Sequence, residues 1–182
     1  MAINMPGGLY LRRLMGAATL DAGTYEEVES DQTATTQAFA TVILAGLAGG
    51  VGTIGFGGTL RSVAFMGAIA LLTWGIWAVI TFEIGVRVMP RPETRSDVGE
   101  LLRTIGFATA PGFALVLGVI PSLTIPVFTL TAIWMLSAMT VGVRQALDLD
   151  STGRALAVCG VGWGLVIGIV LALGLAFGPS LR

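Results

Sequence analysis

Histidine and lysine are both missing from the 182 residues, cysteine occurs once, and only 12% of the side chains are charged. Without histidine there is no Ser-His-Asp triad and no imidazole metal site. Without lysine there is no Schiff-base nucleophile and no P-loop lysine. The single Cys159 cannot close a disulfide within the chain, and in AVCGVGWG it reads as a small apolar side chain packed between helices. A formal net charge of −1 leaves no basic surface for nucleic acid. No catalytic group, cofactor or metal is expected from this inventory.

What remains is hydrocarbon. The chain is 54% hydrophobic, its mean hydropathy is +0.86, and its charge is about half that of a soluble domain. The expected fold is all-α, a polytopic membrane bundle of five transmembrane helices with a short amphipathic helix before them. Residues 1–31 form the N-terminal segment and 32–182 the membrane domain. Spans are expected at about 36–59, 63–86, 104–121, 125–143 and 155–177, each near the ~20 residues a bilayer core takes.

Leu9 to Leu20 places Leu11, Leu14, Met15 and Ala18 on one helical face and Arg12 and Arg13 on the other. That pattern suits a helix lying in the membrane interface with cationic heads. Thr24 followed by Glu27 matches a capping box for the next helix. In the first span, Gly50 to Gly55 satisfies G-x-G-x-x-G, but no strand precedes it and no acidic residue follows at the required distance. Gly46 and Gly50 are better read as a helix-packing face in GxxxG spacing. Glu83 ends the second span, and Arg87 one turn later gives it an interfacial ion-pair partner.

The third span lies in LLRTIGFATAPGFALVLGVIP, where Gly106, Ala110, Ala114 and Gly118 recur every four residues. Read as one α-helix, kinked at Pro111, they form a smooth stripe that admits a neighbouring backbone. Gly160, Gly164 and Gly168 repeat the pattern in the last span and make it the expected mate. Residues 104–143 carry no charge, so they must turn back once, at Pro121 to Pro126. The polar connections hold Arg91, Arg95 and Asp97, with Ser96 as a helix start, and Arg144, Asp148 and Asp150. These six residues are the expected surface for soluble partners. Asp148 and Asp150 begin like a calcium loop, but no glycine and terminal glutamate follow at its spacing; Asp150 or Ser151 is a simpler N-cap for the last helix.

With the N-terminus inside, the inner segments hold eight arginines and the outer ones Arg61 and Arg182. The positive-inside rule therefore expects a cytoplasmic N-terminus and an external C-terminus.

LDAGTYEEVESD before the first span, LLRTIGFATAPGFALVLGVIP, and WML…VRQALDLDSTGRAL before the last span together resemble the bacterial members of the Yip1-domain family. The resemblance covers Asp21 to Gly178 and implies five helices, a cytoplasmic N-terminus and the bacterial inner membrane. Eukaryotic relatives act in vesicle traffic and bind small GTPases through longer N-terminal regions. Only about thirty residues precede the first span here, so GTPase binding is not carried over. The expected function is a non-enzymatic scaffold or accessory subunit that associates through its small-residue faces with a membrane protein or a second copy. The alternatives are a small transporter or channel, using Thr73, Thr129, Thr131, Ser137 and Thr140, and a membrane-shaping protein acting through Leu9–Leu20.

Overall fold

The computed structural model describes residues 6–88 and 97–162. Among them are helices α1 (Pro6–Ala18), α2 (Ala22–Ser30), α3 (Ala34–Gly52), α4 (Leu60–Glu83), α5 (Val98–Phe107), α6 (Thr124–Ala146) and α7 (152–162). A short 3₁₀ turn, Thr53–Phe56, prolongs α3, and a π turn, Ile84–Val88, prolongs α4. A 3₁₀ segment, Ala110–Val119, prolongs α5.

Four spans are long and apolar enough to cross a membrane: Ala34–Phe56, Leu60–Arg87, Val98–Val119 and Thr124–Ala146. They correspond to the first four expected spans. Most of the fifth, 155–177, lies outside the described residues, as do Gly164 and Gly168.

The helices run up and down. α3 and α4 are antiparallel and almost touch through their backbones. A methyl group added at Gly46 would sit 2.6 Å from the Ala70 methyl, and one at Gly50 would sit 2.5 Å from the Val63 Cα. This close approach is what glycine at these two positions allows.

The third span corrects its expected geometry. Proline has no N–H to donate to the Phe107 carbonyl, so the α-helix ends at Phe107 and the chain tightens to i→i−3 bonding. Gly112 donates to the Thr109 carbonyl at 2.8 Å, and the Thr109 hydroxyl donates to Gly106 at 2.7 Å. A 3₁₀-helix has three residues per turn, so positions four apart rotate away from one another. Gly106, Ala110, Ala114 and Gly118 therefore do not form one stripe, and Ala114 is only half-buried.

The glycines that do align are Gly106, Gly112 and Gly118, and their mate is α3. A methyl on Gly106 would meet the Ala38 methyl at 2.7 Å, and one on Gly112 would meet that of Ala45 at 3.0 Å; Gly118 lies against Gly52. Seven residues are close to two α-turns, and six are two 3₁₀ turns. Ala38, Ala45 and Gly52 thus keep step with Gly106, Gly112 and Gly118. Among the described residues these glycines pack on the first span; the expected pairing with the last span falls mainly on residues outside those described.

Up-and-down packing gathers the charged residues at one end. That end holds α1, α2, the starts of α3, α5 and α7, and the ends of α4 and α6. At the other end, Arg61 is the one charged side chain among the described residues.

We predict that Gly50→Leu lowers the thermal stability of the detergent-solubilised protein by about 1–3 kcal/mol, because backbone stands in the way of the new side chain. Gly75, on the same helix as Val63, has nothing within 4 Å of an added methyl. Gly75→Leu should therefore be neutral or better, and equal losses in both variants would refute the contact.

Candidate functional site

The charged end is built around two arginines that turn inward. Arg13 of α1 is 3% exposed. Its guanidinium donates to Asp31 at 2.6 Å, to Glu27 at 3.0 Å and to the Gln37 amide oxygen at 3.0 Å. It therefore binds α1 to both ends of the connection between α2 and α3. Arg12 beside it stays exposed and grips both Glu27 oxygens at 2.7 and 2.8 Å.

Arg103 of α5 is 6% exposed. It donates through Nε to the carbonyls of Val28 at 3.1 Å and Glu29 at 2.9 Å. These carbonyls belong to the last turn of α2, where no helical N–H follows to satisfy them. A cation there also suits the negative end of the helix dipole. Arg103 thus caps α2 from a helix some seventy residues away in sequence.

Apolar contacts complete the cap. Tyr25 is fully buried, its hydroxyl donates to the Ala17 carbonyl at 3.1 Å, and its ring lies against Gly142 of α6. Tyr10 shares a 3.0 Å hydrogen bond with Thr41 and meets the Phe107 ring edge-on. Trp134, midway along α6, donates to Ala18 at 2.7 Å.

Several expectations are corrected here. Asp21, not Thr24, is the N-cap of α2: its carboxylate accepts from the Thr24 N–H and hydroxyl. Asp97, not Ser96, caps α5, in a reciprocal pair with Glu100. Arg13 is not a headgroup-facing cation. The packed face of α1 is turned by one residue, so that Tyr10, Arg13, Leu14 and Ala17 face inward while Leu11 (56% exposed) and Met15 (57%) face out.

The remaining sites divide as follows. Arg87 pairs with Glu83 at 3.0 Å, as their spacing implies. Arg144 is half-buried and donates to the Leu149 carbonyl, closing the turn after α6. Asp148 turns that corner in the left-handed region, φ 49°, which aspartate tolerates better than most residues. Asp97, Asp148 and Asp150 are exposed, and Ser151 accepts from the Arg154 N–H at the start of α7. Arg91 and Arg95 lie outside the described residues. Gly160 has no neighbour within 4 Å of an added methyl.

Arg13 and Arg103, the two residues that organise this end, were not visible as such in the sequence. The signal that could have marked them is position: each falls on the inward face of its helix, one turn from the buried Ala17 and Phe107.

A model of the Yip1 domain matches residues 21–173. The chain belongs to the Yip1 domain family. Neither the curated proteins nor the solved structures contain a match to it. As a Yip1-domain protein it is an integral membrane protein in contact with the lipid bilayer, in keeping with its four apolar spans. The matched segment begins at Asp21, the N-cap of α2, so the family domain includes α2 and its arginine cap but not α1.

Two carboxyls at this end titrate in opposite senses. The Thr33 hydroxyl and Arg13 hold Asp31 down at about 2. Burial, with Glu100, Asp148 and Glu26 nearby, pushes Glu29 up to about 7 against the pull of Arg103. Asp31 therefore stabilises the fold above its ordinary value of 3.8, and the contribution is lost as pH falls toward 2. Glu29 works the other way: the native state keeps its proton, so stability falls as pH rises from 4.5 to about 7. We predict that Glu29→Gln removes that decline and melts above the wild type at pH 8. In Asp31→Asn the deficit seen at pH 7 should vanish near pH 2. Melting curves across pH check both signs.

Arg13→Ala should cost about 1–3 kcal/mol at pH 7. That is below the cost of breaking a fully buried pair, because Glu27 and Asp31 keep about a third of their exposure. Limited proteolysis cutting between α1 and α3 would report the loosened cap.

Proposed function

We propose that this protein is a non-catalytic membrane scaffold or accessory subunit whose partner surface is the charged end of the bundle. The observation that carries this reading is the sorting of charge there. Arg13 and Arg103 are turned inward, Arg12 and Arg87 are tied to carboxylates, and Asp21, Glu26, Asp97, Asp148 and Asp150 stand exposed. A rigid acidic face on a lipid-embedded body suits a partner with a basic juxtamembrane segment.

Association through small-residue faces is the weaker half of the reading. Gly46, Gly50, Gly106 and Gly118 already meet neighbours within the chain. Transport of a polar solute has little support, since among the described residues the candidate polar groups do not converge at mid-membrane. Thr73, Ser137 and Thr140 donate to carbonyls of their own helices, and Thr129 and Ser137 lie on the exposed face of α6. In this reading the charged end is cytoplasmic, following the arginine bias, with the C-terminus outside and the bacterial inner membrane as its home.

A gentle-detergent pull-down of tagged protein, read by native mass spectrometry, tests it. A stoichiometric complex is expected, weakened by salt and by reversing Glu26, Asp148 and Asp150 to arginine. A folded monomer alone, or a complex indifferent to both treatments, would overturn the charged end as the partner surface.

A further inference from the structure

Between the spans lies a cavity of about 350 Å³. It runs from Trp77, Ile105 and Met139 near the charged end to Thr53, Met66 and Phe128 toward the other. On α3 its wall extends from Val42 to Thr53 and on α4 from Met66 to Trp77, a length of about 16 Å at the α-helical rise. It is thus a narrow slot parallel to the helices, within the hydrocarbon-spanning part of the bundle.

Its wall offers almost nothing to water. The threonines that line it donate to their own helices: Thr53 to Gly50 at 2.6 Å, Thr73 to Ile69 at 2.8 Å and Thr109 to Gly106 at 2.7 Å. The Trp74 indole N–H is taken by the Leu102 carbonyl at 2.9 Å. A buried water needs two to four polar partners; beyond these groups the described lining adds the Trp77 indole nitrogen, a single donor. Left empty, a slot this size forfeits the dispersion contacts of its whole lining. The occupant must be apolar, long and thin.

The surroundings supply such an occupant. α4 and α6, which both line the slot, expose Leu72, Ile76, Leu130 and Ile133 on their outward faces, where acyl chains lie against them in the membrane. Met66, Met135 and Met139 give the slot a flexible wall that can mould to a chain of varying kink. We propose that this slot holds one acyl chain of a bilayer phospholipid, as an integral part of the folded protein.

The test uses the full-length protein in phosphatidylcholine vesicles whose lipid carries a diazirine midway along one acyl chain. After irradiation, peptides containing Met66, Met135 or Met139 should carry the label, alongside the outward-facing Leu130 and Ile133. Native mass spectrometry from mild detergent should show one retained phospholipid per chain. Met135→Trp and Thr73→Phe fill the slot from opposite walls, so failure of one to fold leaves the other informative. In a variant that folds, lining label should drop at least fivefold while Leu130 and Ile133 label stays constant. Label confined to the outward residues, or unchanged in a folded variant, overturns the proposal. So does a retained molecule with the mass of a free fatty acid.

Discussion

The close approach of backbones around α3 is the constraint on which the rest of the bundle depends. In lipid there is no hydrophobic gain in bringing two apolar helices together, so association rests on contact distance and shape. α3 offers small residues to both neighbours. Gly46 and Gly50 receive α4, while Ala38, Ala45 and Gly52 receive the third span. Its two packed faces fix the places of both neighbours; α6 then builds on the third span through Phe128 and Met135, and Tyr25 of the N-terminal cap lies against Gly142 of α6. The same smooth walls leave the slot between α3, α4 and α6, because side chains that short cannot fill the space beyond the contact.

The gross architecture was legible in the sequence because the bilayer imposes it. Charge-free runs of the right length marked four spans within a few residues, and the spacing of Glu83 and Arg87 marked their ion pair. The register of the third span was not legible, for a physical reason. A four-residue stripe is meaningful only on an α-helix, and Pro111 converts the second half of the span to 3₁₀ geometry. The six-residue recurrence of Gly106, Gly112 and Gly118 was present in the sequence, but it becomes a face only when the turn tightens to three residues. Pro111 does more than kink one helix: it changes the helix type for a whole segment.

The charged end shows a second limit. Counting arginines by segment gives an orientation, since insertion depends on charge number near the spans. It says nothing about where the side chains go after folding. Arg13 and Arg103 count toward the positive end of the chain, yet folded they lie inside the cap, while Asp21, Glu26, Asp97, Asp148 and Asp150 are exposed. The amphipathic pattern of α1 misled in the same way: an arginine on a helix face reads as solvated until an acidic partner closes over it, and Glu27 and Asp31 come from another helix.

Burying Arg103 is costly unless its donors are met, and what meets them is the frayed end of α2, where carbonyls lack partners of their own. Each group removes the other's deficit. That exchange explains how a nine-residue helix, too short to persist alone, becomes a fixed part of a membrane protein. It also ties the family domain together, since α2 opens the matched segment and α5 lies at its middle. A partner docking on the carboxylates of α2 and of the turn after α6 would meet a surface already held to the third span by Arg103. Binding there would not have to order the segment first, so little of the contact energy would be lost to conformational entropy.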